Sequence, residues 1–200
     1  LTAIAAAGVT FVAPASKSYV GTDMLASCDK ALARPVAYVP ERHTARTTPS
    51  EPPTYLAYED TMALAGPRKA DPVLHLRRVF VWSSGNAQAA LTNRTRKCDR
   101  AAGDLDKITR GLGGRYYKTA AQVRAKLEAI ARDRRVGDYL RFEIGADAED
   151  KPTFAWHFDQ AAIDAEATTD GWYALLTNLG PADADAAEVL LRYKGQEVVE

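Results

Sequence analysis

Cysteine is scarce in this chain. Cys28 and Cys98 are the only two and lie far apart in unlike contexts, which excludes a disulfide framework and any cysteine-based metal spacing. Histidine is nearly as rare: His43, His75 and His157 are scattered, none at ligand spacing with a cysteine or another histidine. His157 alternates with large aromatics and reads as structural. No long hydrophobic run exists either. Residues 1–16 carry no charge, but Gly8, Thr10 and Pro14 interrupt them, no basic segment precedes them, and they fall short of the ~20 apolar residues of a membrane span. They read as a buried helix–turn–strand, and a cytoplasmic protein with no membrane partner is expected. Phosphate-cradling loops are missing: Gly111, Gly113 and Gly114 follow no strand and precede no Lys-Ser/Thr pair, so they mark a helix stop. Ser16, Ser18, Ser83 and Ser84 have no nucleophile-elbow context, which leaves a serine or cysteine hydrolase little support. No internal repeat is visible. The sequence has no initiator Met and closes on Glu200 without a helix stop signal. It therefore reads as a piece of a longer polypeptide or the product of a truncated gene.

What is present is an ordinary globular composition: 200 residues, 46% hydrophobic and 26% charged, enough for one domain or for a core with one sizeable insertion. Net charge cancels, with 26 basic and 26 acidic residues, but the two signs are segregated. Residues 94–135 hold 13 basic and 5 acidic residues, whereas 143–200 hold 3 basic and 13 acidic. Such a split suggests a polyanion-facing segment joined to an acidic one, although a charge run also serves simply as a solvated face.

Periodicity orders the elements. Apolar residues over 9–13 and 73–82 predict strands, with Pro14 breaking the first. Five prolines between 34 and 54 predict a loop or extended edge and a candidate domain boundary. Ser83 and Ser84 offer helix caps, after which Leu91, Cys98, Leu105 and Leu112 recur as the apolar stripe of a long helix with a basic flank. Thr119 and Gln122 form a capping box for a second helix whose Val123, Leu127, Ile130 and Arg134 share one side. Strict alternation over 139–144 and 154–159 predicts a hairpin. A short helix around 161–167, an Asp170-Gly171 turn, a strand over 172–177 and a last helix broken at Gly195 complete the chain.

The acidic tail does not by itself identify an enzyme. Asp183 and Asp185 suit a helix N-terminus, and Asp170 suits a turn. Tyr193, Gln196 or Glu197, and Glu200 would share one face of a continuous helix, a pattern equally expected of a polar helix face.

Together these segments resemble a known family. Asp170-Gly171-Trp172-Tyr173 running to Leu176-Thr177-Asn178, followed by Tyr193-Lys194-Gly195-Gln196 and Glu200, is similar to the end of bacterial insertion-sequence transposases of the DDE type with a Tyr–Arg–Glu–Lys signature. The stretch from Gly8 to Ser16 resembles the region after that family's second catalytic Asp. Residues 115–140, with Tyr116-Tyr117 and Arg134-Arg135-Val136-Gly137, resemble its insertion region. The resemblance implies an α/β fold with a partial ribonuclease H-like core, 1–34 and 151–200, interrupted by a mixed α+β insertion, 35–150, carrying the basic helix pair.

It further implies DNA transposition, with metal-dependent strand cleavage and transfer. Glu200 stands for the third acidic residue and metal ligand, Tyr193 for the signature Tyr, and Gln196 where the family has Arg. Both Asp residues and the signature Lys would lie outside this chain. Carboxylates suit Mg²⁺ or Mn²⁺ in the intact protein, because two such ions stabilise an in-line displacement at phosphorus. One carboxylate cannot hold two metals, so the fragment by itself is expected to be catalytically silent. Implied partners are double-stranded DNA, as transposon ends and target, and a second copy of the intact protein, in the cytoplasm at the nucleoid. Arg94, Arg96, Lys97, Arg100, Arg124, Lys126, Arg134 and Arg135 are the candidate phosphate contacts. A non-enzymatic DNA-binding or dimerising fragment, or an inactive remnant, is the alternative.

Overall fold

The computed structural model describes residues 7–40, 51–66, 68, 71 and 73–195. It is a mixed α and β protein that divides into two compact units, Leu1–Gln88 with Thr169–Glu200, and Ala89–Thr168. The division falls at 88/89 and 168/169.

The first unit is built on a five-stranded sheet, β1 (Val12–Pro14), β2 (Arg34–Val36), β3 (Tyr55–Leu64), β4 (Leu74–Ser83) and β7 (Trp172–Thr177). Its order is β1-β7-β4-β3-β2 and every neighbouring pair is antiparallel. The two edge strands contain the prolines, Pro14 and Pro35. Proline has no N–H to give to a ladder, so an edge is where it fits. Pro14 accordingly belongs to β1, paired with Leu175, and does not break it. β4 is largely buried, with Leu76, Val79, Phe80 and Val81 at 1% exposure or less. One face packs Val79, Val81 and Leu175 against Val189 and Leu190 of the last helix, α5 (Ala186–Gly195). The other packs Phe80, Trp172 and Ala174 against Met24 and Leu25 of the short helix α1 (Thr22–Ala26).

β3 carries Glu59 and Asp60 in mid-strand, where β propensity is poor. Cross-strand arginines answer them. Arg78 lies opposite Asp60 and pairs with it at 2.6 Å, and Arg77 pairs with Glu59. Arg77 is 7% exposed and also donates to the carbonyl oxygens of Leu179 and Ala184 at 3.0 and 2.9 Å. Thr177 and Asn178 have a mechanical role at the end of β7. The Thr177 hydroxyl donates to the Phe11 carbonyl at 2.7 Å and accepts from Leu179 N–H. The Asn178 amide accepts from Phe11 N–H and donates to the Val9 carbonyl, both at 2.9 Å. Together they extend the ladder to a segment with no strand partner of its own.

The second unit holds most of α2 (Ser84–Gly111), with α3 (Ala120–Arg134), the β5 (Leu140–Ala146)–β6 (Pro152–Phe158) hairpin and α4 (Gln160–Ala167). Its core unites Ala101, Leu105 and Ile108 with Val123, Leu127 and Ile130, and with Val136, Tyr139 and Leu140. The buried stripe of α2 runs through Arg94, Ala101, Leu105 and Ile108, and Leu91 is 49% exposed. The stripe drifts because 3.6 residues per turn do not divide seven. The expected capping box forms at Thr119 and Gln122. Among the described residues, no helix is long and apolar enough to cross a membrane.

Candidate nucleic-acid interface

The basic residues come together through the antiparallel return of α3 beside α2. On α2, Arg94, Lys97 and Arg100 follow one another at three-residue steps and Arg96 stands four before Arg100, so each neighbours another of the set around the helix. The C-terminal end of α3 supplies Arg134 and Arg135. Arg135 caps that helix in the left-handed conformation, φ 57° and ψ 47°, a geometry usually given to glycine. Val136 N–H closes back onto the Ala131 carbonyl at 2.9 Å and its side chain is fully buried. That anchoring holds a non-glycine residue in an uncommon backbone region.

These six cations line one cleft of about 550 Å³, with Asp133 and Glu166 as its carboxylates. Arg94 forms the floor at 4% exposure, and its guanidinium lies 3.9 Å from the Glu166 carboxylate. Tyr139 donates its hydroxyl to the other Glu166 oxygen. Burial, reinforced by that hydrogen bond and the Glu166 charge, pushes the Tyr139 phenol up to about 12, with Arg94 pulling the other way. The phenol is thus a neutral donor under ordinary conditions. At the rim, Arg134 pairs with Asp104 at 2.7 Å, and Asp104 also accepts from Lys107 at 2.9 Å. Those two hydrogen bonds hold the Asp104 carboxyl below its usual range. Arg96, Lys97 and Arg100 take part in none of the ion pairs among the described residues. The arrangement suits an extended polyanion: an anchored cation at the base and three uncommitted ones along the wall.

Of the eight basic residues read from the sequence, six line this cleft. Arg124 and Lys126 are exposed on α3 and do not line it. Glu166, Tyr139 and Asp133 were missed. No local pattern marks them, because only the packing of α4 and of the α3–β5 connection against α2 brings them to Arg94.

Tyr193 is half-buried on α5, where it packs on the sheet core together with Tyr173 and Tyr38. Lys194 lies 5.5 Å from the Tyr193 ring and 6.0 Å from that of Tyr173. Gln196 and Glu200 lie outside the described residues. Among the described residues no group of three or more histidines, cysteines and carboxylates is placed to hold a metal ion.

Comparison with family models, curated protein sequences and solved structures finds no match to this chain.

Proposed function

We propose that this chain grips the phosphate backbone of duplex DNA through the cleft of residues 89–168, as part of a DDE-type transposase. The observation that carries the binding half is the convergence of Arg94, Arg96, Lys97, Arg100, Arg134 and Arg135 on one cleft that holds only two carboxylates. Guanidinium groups suit phosphate diesters through paired N–H donors, and their charge draws a polyanion from a distance. No base-reading geometry is needed for this. Backbone contact positions a protein on DNA without selecting a sequence.

The transposase half rests on the resemblance of residues 8–16, 115–140, 170–178 and 193–200 to that family. On this reading β1 and β7 belong to the ribonuclease H-like core, 1–34 and 151–200, while β3 and β4 fall within the insertion, 35–150. Helix α5 leads toward Glu200, and Mg²⁺ or Mn²⁺ is bound by the intact protein at the nucleoid, where it acts as a dimer on transposon ends and target. Gln196 offers a phosphate neutral hydrogen bonds where the family offers a charged fork.

Duplex binding as a function of salt tests the first half. Four to six phosphate contacts give a slope of log K against log salt of about −4 to −5, a loss of roughly a hundred- to a thousandfold between 50 and 200 mM. Replacing Arg96, Lys97 and Arg100 together by Gln is expected to weaken binding and to flatten the slope by about 2.7. An unchanged slope in a folded variant overturns the cleft as the binding surface.

A further inference from the structure

We propose that the α2–α3 turn carries a second nucleic-acid contact of a different kind, with Tyr116 as a stacking platform for an unpaired nucleobase. The proposal rests on the DNA-binding reading above and adds to it a ligand group, a base face, which the cleft does not address.

Tyr116 is 72% exposed, while its neighbour Tyr117 turns inward. The inward ring is seated so closely that a Cβ on Gly111 would meet it at 2.8 Å. The backbone between the helices is tied throughout: Gly114 N–H to Gly111 carbonyl at 3.0 Å, Gly113 N–H to Tyr117 carbonyl at 3.0 Å, and Tyr117 N–H to Gly114 carbonyl at 3.1 Å. Gly113 sits at φ +75°, which only a residue without a side chain takes readily. On the far side, Lys118 and Thr119 N–H both donate to the Gln122 side chain. A turn fixed on both flanks by one tyrosine and its own hydrogen bonds thus holds the other tyrosine out in water. Ordering cost, which ordinarily opposes binding through an exposed loop, has already been met in the fold.

The surroundings specify the ligand. From 107 to 127 there are six basic residues and no acidic one. Arg115 lies 5.6 Å from the Tyr116 ring, in cation–π range, which leaves the opposite ring face open. The acidic β5–β6 turn is nearby, since the Lys151 stem lies 3.9 Å from where a Gly113 Cβ would be. Two of its three carboxylates are engaged within that turn: Glu149 pairs with Lys151, and Asp147 accepts from the N–H groups of Glu149 and Lys151. An aromatic face flanked by basic residues is the combination that binds single-stranded nucleic acid, where every base has a π face to offer and the backbone supplies the charge. A fully paired duplex keeps its bases stacked on one another and gives Tyr116 nothing to hold.

The test compares the full chain on two labelled DNAs of equal duplex length, one blunt and one with a short unpaired overhang containing 2-aminopurine. The chain is expected to bind the overhang at least about fivefold more tightly, the low end for one base–aromatic stack, and to quench the 2-aminopurine. Y116A should lose both effects, and Y116F, which keeps the ring, should retain them. The salt slope of Y116A stays at the wild-type value because no cation is removed, whereas the cleft variant loses slope on both DNAs. Equal affinity for the two DNAs with a normal salt slope overturns the stacking role alone. Absence of salt-sensitive binding to either DNA overturns the DNA-binding reading and the stacking role with it.

Discussion

The Arg77 guanidinium, in the middle of β4, donates to the Ala184 carbonyl at 2.9 Å and so holds the loop that feeds α5. Its second acceptor is the Leu179 carbonyl, and Glu59 takes the remaining donors. Replacing Arg77 by Leu leaves both carbonyls without their donor and Glu59 without its ion pair. Unfolding free energy should fall by about 2–4 kcal/mol in urea titration. Glu59→Gln should cost under about 1 kcal/mol, because Glu59 is partly exposed. Equal costs for the two variants would show that the carbonyl bonds are not the source of the effect.

Gly171 immediately precedes β7 at φ +86°, with the Ser83 carbonyl 2.7 Å from where a Cβ would stand. Alanine there meets both a strained backbone and backbone atoms that cannot swing aside, so Gly171→Ala should destabilise by about 2 kcal/mol or more. A variant melting at the wild-type temperature would contradict this geometry.

The tyrosines set an alkaline limit. Tyr139 is held at about 12 in the folded chain against an ordinary 10.0, and burial also raises Tyr58 and Tyr173. The folded state then keeps protons that the unfolded state releases. The stabilisation from these groups is complete below pH 10 and is lost as pH rises from 10 through the folded values. Urea midpoints at pH 9 and 11 should therefore differ, and Tyr139→Phe should narrow the difference. A Tyr139→Phe variant with an undiminished pH 9-to-11 drop would remove Tyr139 from the account.

Glu166 opposes the ligand that its cleft is proposed to hold. Glu166→Gln raises the net positive charge around Arg94, and duplex affinity should rise a few-fold, with the salt slope steeper by up to about 0.9. Stability should fall, since Tyr139 loses a charged acceptor. Weaker DNA binding by the folded variant would count against Arg94 as a phosphate contact.

If the proposed transposase reading holds, Glu200→Gln in a full-length transposase should abolish metal-dependent strand cleavage and leave duplex binding unchanged. Loss of DNA binding with it would argue against a catalytic role for Glu200.

Helices α2 and α3, the β5–β6 hairpin and β7 were legible in the sequence because each repeats its period over enough residues, with the Thr119–Gln122 capping box marking one start. β3 was not. Its mid-strand Glu59 and Asp60 break the alternation, and only the arginines opposite on β4 make them tolerable. β1 was legible as an apolar run over 9–13 and forms at Val12–Pro14, whereas α1, five residues long, is too short to show a period. The basic run was visible as composition. That Arg134 and Arg135 join Arg94–Arg100, and that Arg124 and Lys126 do not, follows from how α3 returns along α2, which no local pattern encodes.

Ser83 N–H donates to the Gly171 carbonyl at 3.0 Å, and Trp82 pairs with Trp172. The chain thus leaves the sheet and rejoins it at one point, with residues 84–170 as an excursion. Had those residues been coil when β4 met β7, closing them would cost about 2 kcal/mol more than closing a ten-residue loop. Within 89–168 the two helices and the β5–β6 hairpin rest on local hydrogen bonds, the kind of contact that forms quickly. The excursion is therefore expected to fold before β4 and β7 pair. Amides of α2 and α3 should gain protection from hydrogen exchange before those of β7, and slowing the excursion's collapse should slow the sheet with it.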